Sequence, residues 1–297
     1  MPLASLQLRD GVPLKHERET VLQSKVFREM KAFSEGFLER NRDVLAGYAA
    51  KWGADNPLHS WSRQWEYPYV FARVAEVVRA NPRARVLDAG SGATFLPFYL
   101  KRRFEGTTVA CCDTDETLTD VFASLNRNMG ADVEFSAADI RALPYGDRSF
   151  DLVYCVSVLE HTDSYEDILN EFSRVSNGGG LAITFDVSLD GTRDMRLKDL
   201  DRMLKAMAIV FDKDPDLCRT VRSELSNPDI VTTHAVDPEL LPWRGPPLLH
   251  RLKSSLANRR LVRWPPLLTV CCLSGGRFPT AAASREPTRG KRSATNS

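Results

Sequence analysis

From about residue 80 to residue 190, short apolar runs and longer amphipathic ones take turns along the chain. The short runs, at 85–89, 107–113, 132–136, 150–156 and 181–187, mostly read as strands covered on both faces. Between them the apolar residues change to helical spacing. Phe95, Leu96, Phe98, Tyr99 and Leu100 follow the first run, and 115–128 follows the second. Residues 163–176 follow the fourth, with Asp163 and Glu166 spaced as a capping box. This alternation predicts an α/β fold built on a doubly wound, mostly parallel sheet with right-handed crossovers. A late apolar run at 267–273 predicts a closing antiparallel strand.

Upstream, residues 16–52 carry a helical stripe of Val21, Leu22, Val26, Phe27, Met30, Phe33, Phe37 and Leu38. Packing explains such a stripe with least assumption; a lid or a dimer surface are the alternatives. An aromatic cluster follows (Trp52, Trp61, Trp65, Tyr67, Tyr69, Phe71), with Arg63 and Glu66 among it, and reads as core before it reads as a pocket wall. A helix over 69–80 ends at Asn81-Pro82. The divisions expected are a helical extension over 1–80, an α/β domain over 81–276 and a disordered tail over 277–297.

Arg85-Val-Leu-Asp-Ala-Gly-Ser-Gly joins the first strand to its helix. Gly90 and Gly92 allow a sharp turn and a close approach to the main chain, where a ligand is expected to meet free N–H groups. A dinucleotide fingerprint needs a third glycine, and Phe95 stands there instead. Asp88 before the glycines suits a cationic ammonium rather than a pyrophosphate. Four acids fall at or just past successive strand ends: Asp88, Asp113, Asp139 and Glu160. Ligands of such sheets bind along that edge. Asp113 is placed for ribose hydroxyls, and Asp139 for an adenine amino group with Ile140 on the ring.

These residues, with Asp139-Ile-Arg-Ala-Leu-Pro-Tyr-Gly-Asp-Arg-Ser-Phe-Asp-Leu-Val and Val158-Leu-Glu-His, resemble the class I S-adenosylmethionine-dependent methyltransferases, most nearly their small-molecule "type 11" group. The resemblance spans roughly 80–187. It implies a Rossmann-like, seven-stranded sheet and S-adenosyl-L-methionine as cofactor. It also implies Gly90, Ser91 and Gly92 at the methionine end, Asp113 with Thr114 at the ribose, Asp139 and Ile140 at the adenine, and Cys155 and Val156 beside the transferring methyl. Thr94 and Ser176-Asn177 depart from the usual pattern and touch local details only. The implied reaction is methyl transfer to a small molecule, with a sugar or sugar-conjugate hydroxyl as the acceptor expected. His161 is the candidate base, Glu160 a base, orienter or cofactor contact, and no metal is expected. A non-catalytic cofactor binder and an NAD-dependent oxidoreductase are the competing readings.

Composition narrows this modestly. A formal charge of +1 over 297 residues gives no general case for nucleic acid. The six cysteines show no C-x-x-C spacing and mostly fall in strand-like runs, which reads as buried reduced thiols in a cytosolic protein. Residues 243–264 hold six Lys or Arg and no acid, interleaved with leucines. Such a segment suits a phosphate-bearing or lipid-linked substrate, a peripheral membrane contact, or a solvated helix over the sheet edge. His234, Trp243 and Arg244 are minor candidates for the acceptor side.

Overall fold

In the computed structural model, described over residues 6–52, 56–178, 180–193, 195–243, 247–258 and 263–276, a seven-stranded sheet runs through the molecule. The strands are β1 Arg85–Ala89, β2 Thr108–Asp113, β3 Glu134–Ala137, β4 Leu152–Val156, β5 Leu181–Ser188, β6 Met195–Arg196 and β7 Leu268–Gly275. The order β3-β2-β1-β4-β5 is parallel throughout, and β7 pairs antiparallel with β5 along its whole length. The two-residue β6 pairs with β5 beyond the point where β4 stops, so it prolongs that same edge. A strand this short leaves almost no trace in a hydrophobic pattern.

The helices are α1 Lys15–Gln23, α2 Lys25–Arg40, α3 Arg42–Trp52, α4 Arg63–Ala80, α5 Leu96–Arg103, α6 Leu118–Met129, α7 Tyr165–Val175, α8 Leu197–Val210, α9 Leu217–Leu225 and α10 Pro247–Asn258. Strand alternation divides the core. Val86, Cys111, Leu152 and Tyr154 face α4 and α5, while Leu87, Cys112, Val153 and Cys155 face α7 and α8. The six thiols are free, and five are buried.

The extension joins the first core rather than standing apart. Phe33 of α2 meets Tyr99 of α5 at 5.4 Å between ring centroids, and Phe37 meets Phe98 at 5.2 Å. Two boundaries differ from the sequence reading. Helix α4 begins six residues before the expected Tyr69 and runs through Pro68, because Trp65, Glu66 and Tyr67 are all buried and packing overrides the proline's cost. Helix α7 begins at Tyr165 after Ser164, without a side-chain cap, so the expected Asp163–Glu166 box does not form. The expected tail lies outside the described residues. Among the described residues no helix is long and apolar enough to cross a membrane.

Candidate active site

Strand order reverses direction at β1, with β2 on one side and β4 on the other, and a crevice opens at their carboxyl ends. The cavity there has a volume of about 930 Å³. That lies toward the upper end of the roughly 300–1,000 Å³ of small-molecule sites, giving room for a cofactor and an acceptor together.

Asp88 lines it from the face of β1 that also carries Val86. Burial pushes its carboxyl up to about 8, and the neighbouring Asp113 adds to this; the Tyr154 hydroxyl and Arg63 pull the other way. An incoming ammonium would favour the ionised form.

Gly90 (φ +77°) and Gly92 (φ +52°) make the turn. A Cβ at Gly90 would lie 2.6 Å from Val158 Cγ2, and one at Gly92 only 2.1 Å from the Tyr48 hydroxyl. The expectation of free N–H groups fails here. Gly90 and Ser91 both donate to the Cys112 carbonyl at 2.9 Å, and Gly92 donates to Asp113 Oδ2 at 3.0 Å. The turn is therefore stitched to β2, and its use to a ligand is shape rather than hydrogen bonding.

Asp113 and Thr114 line the cavity, and Asp113 Oδ1 accepts from the Asp115 N–H at 3.1 Å. Each oxygen thus has one bond from the protein's own backbone, which fixes the carboxylate and leaves lone pairs for hydroxyl donors. Asp139 and Ile140 line it farther along. Asp139 is engaged by Arg141, through its guanidinium and its backbone N–H, and this holds the Asp139 carboxyl below its usual range.

Beyond β4 the expected residues separate. Val156 lines the cavity but Cys155 does not, because alternation turns its thiol to the other face, fully buried. His161 lines the cavity and is exposed, and its imidazole has no hydrogen-bond partner among the described residues. Glu160 does not line it. Its carboxyl turns beneath, where Oε1 accepts from the Asp186 N–H at 3.3 Å and Oε2 has no partner. Burial, with Glu66 adding, raises its pKa well above the carboxylate range, so it is poorly placed as base or cofactor contact. His234 bonds the Pro265 carbonyl at 2.9 Å instead of facing the site, Trp243 does not line it, and Arg244 lies outside the described residues.

The extension supplies a wall, a role the sequence reading held only as an alternative to plain packing. Phe37, Leu38, Leu45, Tyr48, Arg63 and Tyr67 all line the cavity. Arg63 donates to Glu66, which is fully buried, and to the Ser157 hydroxyl. Glu66 Oε1 also accepts from Ser157 Oγ at 2.8 Å and from Thr184 Oγ1 at 2.5 Å. Burial opposes the Arg63 charge, but Glu66, backed by Tyr67 and Asp186, more than offsets this and raises its pKa. The Nε and Nη2 of Arg63 have no acceptor among the described residues. Ser157 sits at φ +51°, a left-handed conformation uncommon for serine, held by this network just past the end of β4. The available signal was a charge pair at i, i+3 inside an aromatic run. Among the described residues no group of three or more His, Cys, Asp or Glu is arranged to hold a metal.

Residues 87–184 match the family model described as a methyltransferase domain. The methyltransferase GfsG of Streptomyces halstedii is 30% identical over 112 residues, 37% of this chain and 40% of that protein. A ubiquinone biosynthesis O-methyltransferase of Agrobacterium fabrum is 28% identical over 180 residues, 57% of this chain and 66% of that one. The chain thus spans between two fifths and two thirds of the length of these relatives. Among solved structures, a SAM-dependent methyltransferase from Aquifex aeolicus is 23% identical with a TM-score of 0.36, covering 43% of this chain and 69% of that one. A geranyl diphosphate C-methyltransferase from Streptomyces coelicolor A3(2) is 14% identical with a TM-score of 0.43, covering 72% and 84%.

Proposed function

We propose that residues 87–184, which match a methyltransferase domain, take the methyl group of S-adenosylmethionine, and that the chain methylates an oxygen of a small acceptor with a largely apolar body. The observation that carries this reading is the lining beyond the acids. Phe37, Leu38, Leu45, Pro57 and Pro242 surround the donor cavity, with His161 among them. The name of the Agrobacterium relative, an O-methyltransferase, agrees. The described basic residues of 243–264, which prompted the sugar expectation, do not line the cavity.

The residues present suit the donor. Asp88 would take its ammonium and Arg63, through its unused Nε and Nη2, its carboxylate. Asp113 would take the ribose hydroxyls, and Asp139 with Ile140 the adenine. When bound, the donor supplies an electrophilic methyl on a positively charged sulfur. The chain's own part is alignment and desolvation, with Val156 and Ser157 fixing the wall where β4 ends. His161 would accept the acceptor's hydroxyl proton on its imidazole, and its exposure lets that proton pass to water.

Labelled-methyl transfer to paired acceptors tests the reading: hydroxylated aryl or alkyl compounds against sugars and amines of similar size. Label should appear on oxygen in the apolar hydroxyl compounds. Transfer confined to sugars or to nitrogen would contradict it. His161→Ala should lower kcat about 100-fold with little change in donor affinity; unchanged kcat would remove His161 as the base.

A further inference from the structure

Helix α10 (Pro247–Asn258) turns Leu248 and Leu256 outward. Leu248 is 66% exposed and Leu256 is 78% exposed, whereas the polar Ser254 is buried and His250 stacks on Trp264 at 4.8 Å. At about 100° per residue the two leucines lie roughly 80° apart on the helix. Arg251 and Lys253, both exposed, fall about 60° to either side of that pair. A surface helix that folds only against its own protein has the opposite arrangement.

The surroundings share this character. The stretch 243–264 holds six Lys or Arg and no acid, in a chain whose formal charge is only +1, so the positive charge is local. Trp243 and Trp264, partly exposed, meet edge to face at 5.2 Å, and the Arg193 guanidinium lies 5.6 and 5.7 Å from their ring centroids. Pro242, next to Trp243, lines the active-site cavity, so this surface begins at the cavity's wall.

We propose that α10 and its flanking tryptophans form a docking surface for an anionic phospholipid bilayer, with Leu248 and Leu256 entering the interface and Arg251 and Lys253 meeting the headgroups. A row of apolar side chains flanked by cations is the pattern that lies in the plane of such an interface, and partly exposed tryptophans suit its boundary. The surface does not depend on the identity of the methyl acceptor.

Co-sedimentation of the full chain with phosphatidylcholine vesicles, with and without phosphatidylglycerol, tests it. The protein should pellet with the anionic vesicles, about tenfold or more in preference to neutral ones, and lose that preference as salt rises. Leu248→Ser with Leu256→Ser should weaken binding at least about tenfold, and Arg251→Gln with Lys253→Gln should weaken it mainly at low salt. Both pairs should bind S-adenosylhomocysteine as the parent does, which shows that they fold. Failure of the parent to pellet with anionic vesicles would overturn the proposal. So would undiminished binding by the leucine variant, or a vesicle-independent dimer that the leucine substitutions dissolve.

Discussion

Asp88 is the residue on which pH acts most directly. A carboxyl held near 8 carries its proton in the ligand-free cavity at neutral pH and must release it to pair with the donor's ammonium. Affinity for S-adenosylhomocysteine should therefore rise as pH climbs from 6.5 toward about 8, with net proton release on the low side. Calorimetry in buffers of different ionisation enthalpy measures this, and Asp88→Asn should flatten the dependence. The acids at the strand ends were legible in sequence because strand-then-acid is a local pattern, and Asp88, Asp113 and Asp139 all line the cavity. Cys155 and Glu160 were misplaced for a different reason. Which face a strand's last residues take, and how the chain turns after Val156, are set by pairing with β5 and by the buried Glu66 network, neither of which is local.

At the scale of elements, the glycine turn and α3 fit against each other. Gly92→Ala would place a methyl into the Tyr48 hydroxyl and add left-handed strain of about 1–2 kcal/mol. Donor affinity should fall about tenfold or more, and Tyr48→Phe in the same chain should restore part of it, since the nearest ring carbon stands at 3.3 Å. Titration of both variants decides this; no recovery would remove the contact as the cause. Helix α4 is tied to β4 and β5 through Glu66, whose buried carboxylate takes bonds from Arg63, Ser157 and Thr184. Glu66→Ala should cost about 3–5 kcal/mol in urea unfolding, because it strands a half-buried guanidinium among apolar walls. A sequence shows the helices of the extension readily, but not that they wall the cavity. That follows from the aromatic packing of α2 on α5, a contact between segments some sixty residues apart.

At the scale of the whole molecule, two buried carboxyls among the described residues stand above the normal range, Asp88 and Glu160. Each is protonated in the folded chain over a span where the unfolded chain has already ionised. At these two positions the folded state then binds more protons than the unfolded one, and their contribution to stability falls as pH rises from about 4 toward 8. Glu160→Gln should therefore raise Tm more at pH 8 than at pH 5, with little change in donor binding; an equal shift at both would show that Glu160 ionises normally. The parallel order of the sheet was visible in the alternation of strand and helix, and the closing antiparallel strand in one late apolar run. The two-residue β6 and the early start of α4 were not, since one is too short to carry a period and the other runs through a proline that packing overrides.

The central claim is that acids along one edge of a buried sheet grip an adenosyl donor. Titration of the full chain with S-adenosylhomocysteine and with NAD, repeated on Asp113→Ala, tests it most directly. The account predicts one S-adenosylhomocysteine bound per chain, no comparable binding of NAD, and at least about a tenfold loss of affinity in Asp113→Ala. Preference for NAD, or an Asp113→Ala chain that binds as tightly as the parent, would contradict it.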